Sequence, residues 1–127
     1  MENMPKKILV VDDNDLVRCF LETICSHQNL QCQCVTNGHE AVQAFEKEKF
    51  GIVLMDLDMP VMGGLDATRV IRQYEIANNC KRTPVIAISG TTMIDPHNDC
   101  LKAGMDGFLP KPIVINELIN VIRTVMN

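Results

Sequence analysis

Four apolar runs in this chain end on residues that can do chemistry. Asp12-Asp13 follows Ile8-Leu9-Val10-Val11, Asp56-Leu57-Asp58 follows Ile52-Val53-Leu54-Met55, Ser89 follows Val85-Ile86-Ala87-Ile88, and Lys111 comes soon after Phe108-Leu109. Carboxylates gathered in one crevice repel one another, so a proton or a cation must offset the charge. Oxygen-only donors suit a hard ion such as Mg2+, which keeps several waters and takes one or two carboxylates plus a phosphoryl oxygen. A Lys amine adds a point charge for anionic oxygens, and a Ser hydroxyl adds one donor. A carboxylate flanked in this way is equipped to attack phosphorus and to hold the acyl phosphate that results. Asp56 is the expected nucleophile, with Ser89 and Lys111 beside it.

These residues converge only if the intervening chain folds in one particular way. Asp58 and Pro60 follow Asp56 at once, so the apolar run from Gly51 must be a buried strand that stops there. Lys6-Lys7-Ile8-Leu9-Val10-Val11 reads as a buried strand ending on Asp12-Asp13. From Asn14 the period becomes helical, with Leu16, Val17, Phe20, Leu21 and Ile24 on one stripe. Residues 31–36 alternate like a strand nearer the sheet edge, Asn37-Gly38 punctuates, and 39–48 is helical through Ala41, Val42, Ala44 and Phe45. Pro60-Val61-Met62-Gly63-Gly64 must be a loop, and 65–77 a helix through Ala67, Val70, Ile71 and Tyr74 that leaves by Asn78-Asn79. Residues 84–88 form a fourth strand, ended by Ser89-Gly90-Thr91-Thr92. A short helix opens with Asp95 as N-cap and Pro96 as first residue, and Gly104 closes it. A fifth strand at 106–109 stops at Pro110-Lys111-Pro112, before a last helical stripe of Ile115, Leu118, Ile119, Ile122, Val125 and Met126.

Five largely apolar strands alternating with five helices call for an α/β fold, a parallel sheet with helices on both faces and right-handed crossovers. In such a sheet all strand carboxyl ends lie along one edge, where ligands bind. Asp12-Asp13, Asp56, Ser89 and Lys111 then meet there despite their separation in sequence.

Composition narrows the classes. A chain of 127 residues is one domain's worth, read as a single domain over 1–127. A net charge of -4, no Trp and no run of Lys and Arg along the chain argue against direct nucleic-acid binding. No apolar run approaches the roughly 20 residues that cross a bilayer, so no membrane insertion and a cytoplasmic location are expected. The six cysteines (Cys19, Cys25, Cys32, Cys34, Cys80, Cys100) show no metal or disulfide spacing and read as reduced thiols. His27, His39 and His97 are isolated residues on helices or their flanks.

Asp12-Asp13 after the first strand, Met55-Asp56-Leu57-Asp58-Met59-Pro60 with Gly63-Gly64, Ser89 after the fourth strand and Lys111-Pro112 after the fifth resemble the receiver domain of two-component response regulators over essentially the whole chain. The resemblance implies a five-stranded (βα)5 flavodoxin-like receiver fold with Asp56 as phosphoacceptor. It implies Mg2+ held directly by Asp13, Asp56 and the backbone carbonyl of Asp58, with Asp12 acting largely through metal-bound water. Ser89 would hydrogen-bond one phosphoryl oxygen and Lys111 would pair with another, and the Lys111-Pro112 bond would be cis. Phe108 matches an aromatic switch position that turns inward when Ser89 moves toward the phosphate. Such a domain is not an enzyme on an external substrate; it catalyses only its own phosphoryl transfer and slow dephosphorylation.

Three positions depart from the family pattern. Phe108 lacks the hydroxyl of the Tyr often found there, Asp58 puts an acid where many relatives carry a neutral polar residue, and Gly90 replaces a common Ala, which should loosen the loop after Ser89. The extra charge of Asp58 either tightens metal binding or disfavours the phosphorylated state. Asp13-Asn14 and Asp66-Ala67-Thr68-Arg69 with Ile71-Arg72 look most like receivers of hybrid histidine kinases. That implies exchange with a histidine kinase or a histidine phosphotransfer protein across Leu16, Val17, Leu21 and the Pro112-Ile113 loop, by a monomer or a weak phosphorylation-dependent dimer. A free-standing chemotaxis-type regulator is the runner-up.

Taken singly, each element has a plain explanation: Asp12-Asp13 as a solvated cap, Ser89 as a turn residue, Lys111 as a loop residue between prolines. Their joint placement at four strand ends is what coincidence explains poorly. One rival is a small phosphatase resembling the haloacid-dehalogenase type, with Asp56 as nucleophile and Asp58 as general acid; an acidic pair that precedes the other motifs argues against it. A receiver-like adaptor that works without phosphorylation is the other, and the complete acidic set speaks against that.

Overall fold

Strand and helix alternate without exception along the described chain, in the order β1 (Ile8–Val11), α1 (Asp15–His27), β2 (Cys32–Val35), α2 (Gly38–Lys47), β3 (Ile52–Asp56), α3 (Gly64–Ala77), β4 (Val85–Ser89), α4 (Pro96–Ala103), β5 (Gly107–Pro110) and α5 (Ile115–Met126). The structure, a computed structural model, describes residues 7–59, 61–90 and 96–126. The expectations for Lys6, Pro60, Thr91, Thr92 and Asp95, and for a looser loop after Gly90, lie outside these residues.

All strand pairs are parallel, in the order β2-β1-β3-β4-β5. β1, β3 and β4 are buried along their whole length, whereas β2 is half-buried, as an edge strand should be. β5 forms the other edge, which is why it tolerates Pro110 opposite Ser89. Side chains alternate between two cores with the strand period of two. Leu9, Val11, Val53, Met55, Val85 and Ala87 pack on α2, α3 and α4 through Ala41, Phe45, Ala67, Ile71 and Cys100. Ile8, Val10, Ile52, Leu54, Ile86 and Ile88 pack on α1 and α5 through Leu21, Ile24, Cys25, Leu118 and Ile122.

Local signals explain where elements begin and stop. The Asn14 carboxamide oxygen accepts from the amides of Leu16 and Val17, and that of Asn37 from the amide of Glu40. Gly104, at φ +100°, takes the left-handed turn that ends α4, and Asn79, at φ +56°, does so beyond α3. The structure shifts some boundaries: Ser89 is the last residue of β4 rather than the first after it, and Asp106 precedes β5. Two stripes are narrower than the periodicity suggested. Leu16 and Phe20 are 80% and 37% exposed because α1 turns Leu21, Ile24 and Cys25 to the sheet, and Ile115 is 46% exposed at the open first turn of α5. Among the described residues no helix is long and apolar enough to cross a membrane.

Cys25 on α1 meets Cys32 and Cys34 on β2, the latter pair with sulfurs 3.8 Å apart. Burial, then the neighbouring Cys32, push the Cys34 thiol up to about 12. A thiol protonated at neutral pH is a poor nucleophile, so Cys34 serves as packing, whereas the hydrogen bond from Cys32 pulls the Cys25 thiol down; all six cysteines are free.

Asp106 is the hub of an ion network at the start of β5. Its carboxylate accepts from Arg72, Arg82 and the Val85 amide. Arg72 also donates to the carbonyls of Gly104 and Thr83 and to the buried Glu75, which in turn accepts from the Thr83 amide. Removing the cation would strand the Glu75 carboxylate, side chain 5% exposed. Arg72→Met is expected to cost about 3–5 kcal/mol in urea unfolding. Adding Glu75→Met should recover much of that loss; equal loss in both variants would refute the pairing.

Candidate functional site

The site lies where the strand order reverses, at the carboxyl ends of β1 and β3, flanked by those of β4 and β5. Asp12 and Asp56 are both 1% exposed, while Asp13 is exposed at the rim. One carboxylate oxygen from each of these three lies within 4.8 Å of the other two. The expected trio is therefore assembled.

The two buried acids are each held by a backbone amide nearby. Asp12 Oδ1 accepts from the Asn14 amide at 2.9 Å and Asp56 Oδ1 from the Asp58 amide at 3.1 Å. Arg18, one turn into α1, donates to the Asp12 carbonyl at 2.8 Å and pairs with Asp15. Sequence reading missed Arg18, whose one signal is its place a turn after the Asn14 cap.

Lys111 Nζ stands 3.3 Å from Asp12 Oδ2 and 3.3 Å from Asp56 Oδ1. The Lys111 amide donates to the Ser89 carbonyl at 2.9 Å, which ties the lysine to the end of β4; the Lys111-Pro112 bond is cis, as the resemblance implied. A methyl group at Gly90 would come within 3.3 Å of the Lys111 Cβ, a tight contact that a shift of a few tenths of an ångström would relieve. Gly64 is the tighter case: a Cβ there would lie 2.5 Å from the Asp56 carbonyl oxygen.

Ser89 is buried, and its hydroxyl donates to Asp58 Oδ2 at 2.9 Å. The Asp58 side chain thus faces Ser89, outside the carboxylate trio. Phe108 is half-buried and packs against the α2–α3 core beneath the site.

The site is underneutralised. Burial, with help from Asp12, pushes the Asp56 carboxyl up to about 6 against the pull of the Asp58 amide and Lys111. Burial of the Lys111 amine works to lower its value, but Asp56 and Asp12 overcome this and hold it above the ordinary lysine range. Asp56 Oδ2 is buried with no hydrogen-bond partner, and Asp12 Oδ2 has only the ammonium contact. Orphaned anionic oxygens beside an exposed carboxylate, with no nitrogen or sulfur donor, are the set a hard divalent cation completes, so these residues fit Mg2+.

The chain matches the family model for the response regulator receiver domain over residues 8–123. It is 36% identical over 119 residues to hybrid signal transduction histidine kinase G of Dictyostelium discoideum, matching 92% of this chain and 3% of that protein. It is 39% identical over 114 residues to hybrid signal transduction histidine kinase A of the same organism, matching 89% of this chain and 5% of that protein. Among solved structures it resembles the receiver domain of a Pseudomonas aeruginosa sensor histidine kinase, at 30% identity and a TM-score of 0.85 over 96% of this chain and 98% of that one. That receiver carries a magnesium ion in its active site cleft. The chain belongs to the response regulator receiver domain family, with the flavodoxin-like fold of two-component and phosphorelay signalling. It spans only a small fraction of the kinases it matches.

Two outcomes follow from the geometry. The folded state keeps the Asp56 proton up to about pH 6, whereas an ordinary carboxyl releases it near 3.8. Between those values the folded state is the more protonated, so metal-free stability falls as pH rises. Asp56→Asn should remove that part of the slope and raise metal-free stability at pH 7 by up to about 3 kcal/mol in urea unfolding, with little gain at pH 4. An equal gain at both pH values would show that Asp56 ionisation is not its source. Gly64→Ala should destabilise by about 1–3 kcal/mol through displacement of the Asp56 carbonyl, and an unchanged melting temperature would contradict the close approach.

Proposed function

We propose that this chain is a phosphoacceptor switch and that Asp56 is the residue it phosphorylates. The observation that carries the reading is the orphaned, buried Oδ2 of Asp56, a carboxylate whose Oδ1 is held by Lys111 and which clusters with Asp12 and Asp13. That oxygen would attack phosphorus of a phosphohistidine in a histidine kinase or histidine phosphotransfer protein. An O–P bond forms, the P–N bond breaks, and the imidazole keeps the electron pair and takes a proton.

Asp12, Asp13 and Asp56 would hold Mg2+, with the Asp58 backbone carbonyl as a further donor. When bound, the ion supplies charge that offsets the carboxylates and the transferring oxygens. Lys111 would release its hold on Asp56 and pair with a phosphoryl oxygen. Ser89 would turn its hydroxyl from Asp58 to another, with Phe108 following inward. Of the expected partner face on α1, Leu16 is exposed and Val17 half-buried, whereas Leu21 is buried against the sheet and is not available; exposed Phe20 joins Leu16 in suiting the incoming partner. The exchange is confined to this one aspartate, with no turnover of external substrate.

Acetyl phosphate with Mg2+ should add the mass of one phosphoryl group to the wild-type chain and none to Asp56→Asn. Unmodified wild type, or modification of Asp56→Asn at the same level, would overturn the reading. Lys111→Met should lower the phosphorylated fraction at limiting acetyl phosphate by about tenfold or more, since a charge-assisted hydrogen bond is worth about 1.5–3 kcal/mol. A fraction unchanged in that variant would exclude Lys111 from phosphoryl binding.

A further inference from the structure

The edge of the sheet opposite the acids gathers cations. There, between the α2–β3 and α3–β4 connections, opens a cavity of about 430 Å³. That volume falls within the range of small-molecule sites, roughly 300–1,000 Å³. Its floor is aromatic: Phe45 and Tyr74 meet edge to face with ring centroids 6.0 Å apart, and the buried Phe50 lies beside them. The Tyr74 hydroxyl donates to the Glu46 carbonyl at 3.4 Å, which fixes the ring at the mouth.

Its rim is basic. Lys47, Lys49 and Lys81 are exposed around the opening, and no ion pair among the described residues engages any of the three. Two acids also line the cavity, but Glu48 is taken by Lys7 at 3.1 Å, which leaves Glu46 against three lysines. Arg82, the remaining cation, is spent on Asp106 and the Gly104 carbonyl. In a chain of net charge -4, this excess of cations around an aromatic floor is a local reversal of sign.

We propose that this cavity is a second binding site, remote from Asp56, for a small molecule that carries a flat aromatic ring and an acidic group. The ring packs on the half-buried Tyr74 and the little of Phe45 and Phe50 that the cavity exposes, and the acid is met by Lys47, Lys49 and Lys81. An inorganic anion has no use for the floor, and a neutral ring has no use for the lysines; only a ligand with both parts uses the whole site.

Anilinonaphthalene sulfonate tests the assignment, with neutral phenylnaphthylamine and inorganic phosphate as its separated halves. Titrated into the intact chain, the sulfonate should give saturable amide shifts at Phe50, Gly51, Tyr74 and Thr83 and none at Asp56 or Ser89. Each half should bind about tenfold or more weakly, the loss expected when one set of contacts is removed. The sulfonate should also slow alkylation of Cys80, exposed at the lip of the cavity, and leave that of Cys19, exposed on α1, unchanged. The Lys47→Glu, Lys49→Glu, Lys81→Glu triple variant, checked by an unchanged spectrum elsewhere, should weaken binding at least about tenfold. Absent or dispersed shifts, equal binding by either half, or indifference to the triple substitution would each overturn the proposal.

Discussion

Two buried carboxylates share one ammonium. Asp12 and Asp56 sit 3.3 Å from Lys111, and the charge balance of the whole carboxyl edge turns on that contact. One amine cannot neutralise two carboxylates and the rim acid Asp13, so the fold holds an excess of negative charge where burial makes it costly. Burial first, and the neighbouring Asp12 carboxylate second, raise the affinity of Asp56 for a proton. A site built in this way is poised to accept cations, and its unpartnered carboxylate oxygen is the group left over for chemistry.

The scaffold that sustains this imbalance is stiff where it needs to be. β1, β3 and β4 are buried on both faces, and Asp12 and Asp56 are each pinned by a backbone amide two residues on. Ser89 and Asp58 differ in kind: the hydroxyl donates to the carboxylate at 2.9 Å across two strand ends. An acid at position 58 therefore competes for the Ser89 hydroxyl, an effect more specific than the general charge expected of it from sequence.

The same parallel arrangement separates charge across the molecule. Strand carboxyl ends carry the acids, and the connections at strand amino ends carry Lys47, Lys49 and Lys81. Along the chain these lysines are dispersed, and no basic cluster is visible in sequence. The Arg72–Asp106–Arg82 network lies at that same amino-end edge, beside the cavity, and ties α3 to the start of β5.

Sequence by itself settled the alternation of elements and the strand ends. Apolar runs of strand length cut off by Asp12, Asp56 and Ser89 can form little else, and Asn14 and Gly104 mark boundaries through hydrogen bonding and a positive φ that other residues take up poorly. The candidate residues Asp12, Asp13, Asp56, Ser89 and Lys111 were legible because each stands at a strand end, and parallel strands bring such ends together. Tertiary structure decided what periodicity leaves open. The outward turn of Leu16 and Phe20, the grip of Arg18 on the Asp12 carbonyl, the pairing of Ser89 with Asp58 and the gathering of lysines around Phe45 and Tyr74 all depend on how helices rotate and loops close over the sheet. Those are contacts between residues distant along the chain, set by packing and charge in three dimensions, and no local pattern encodes them.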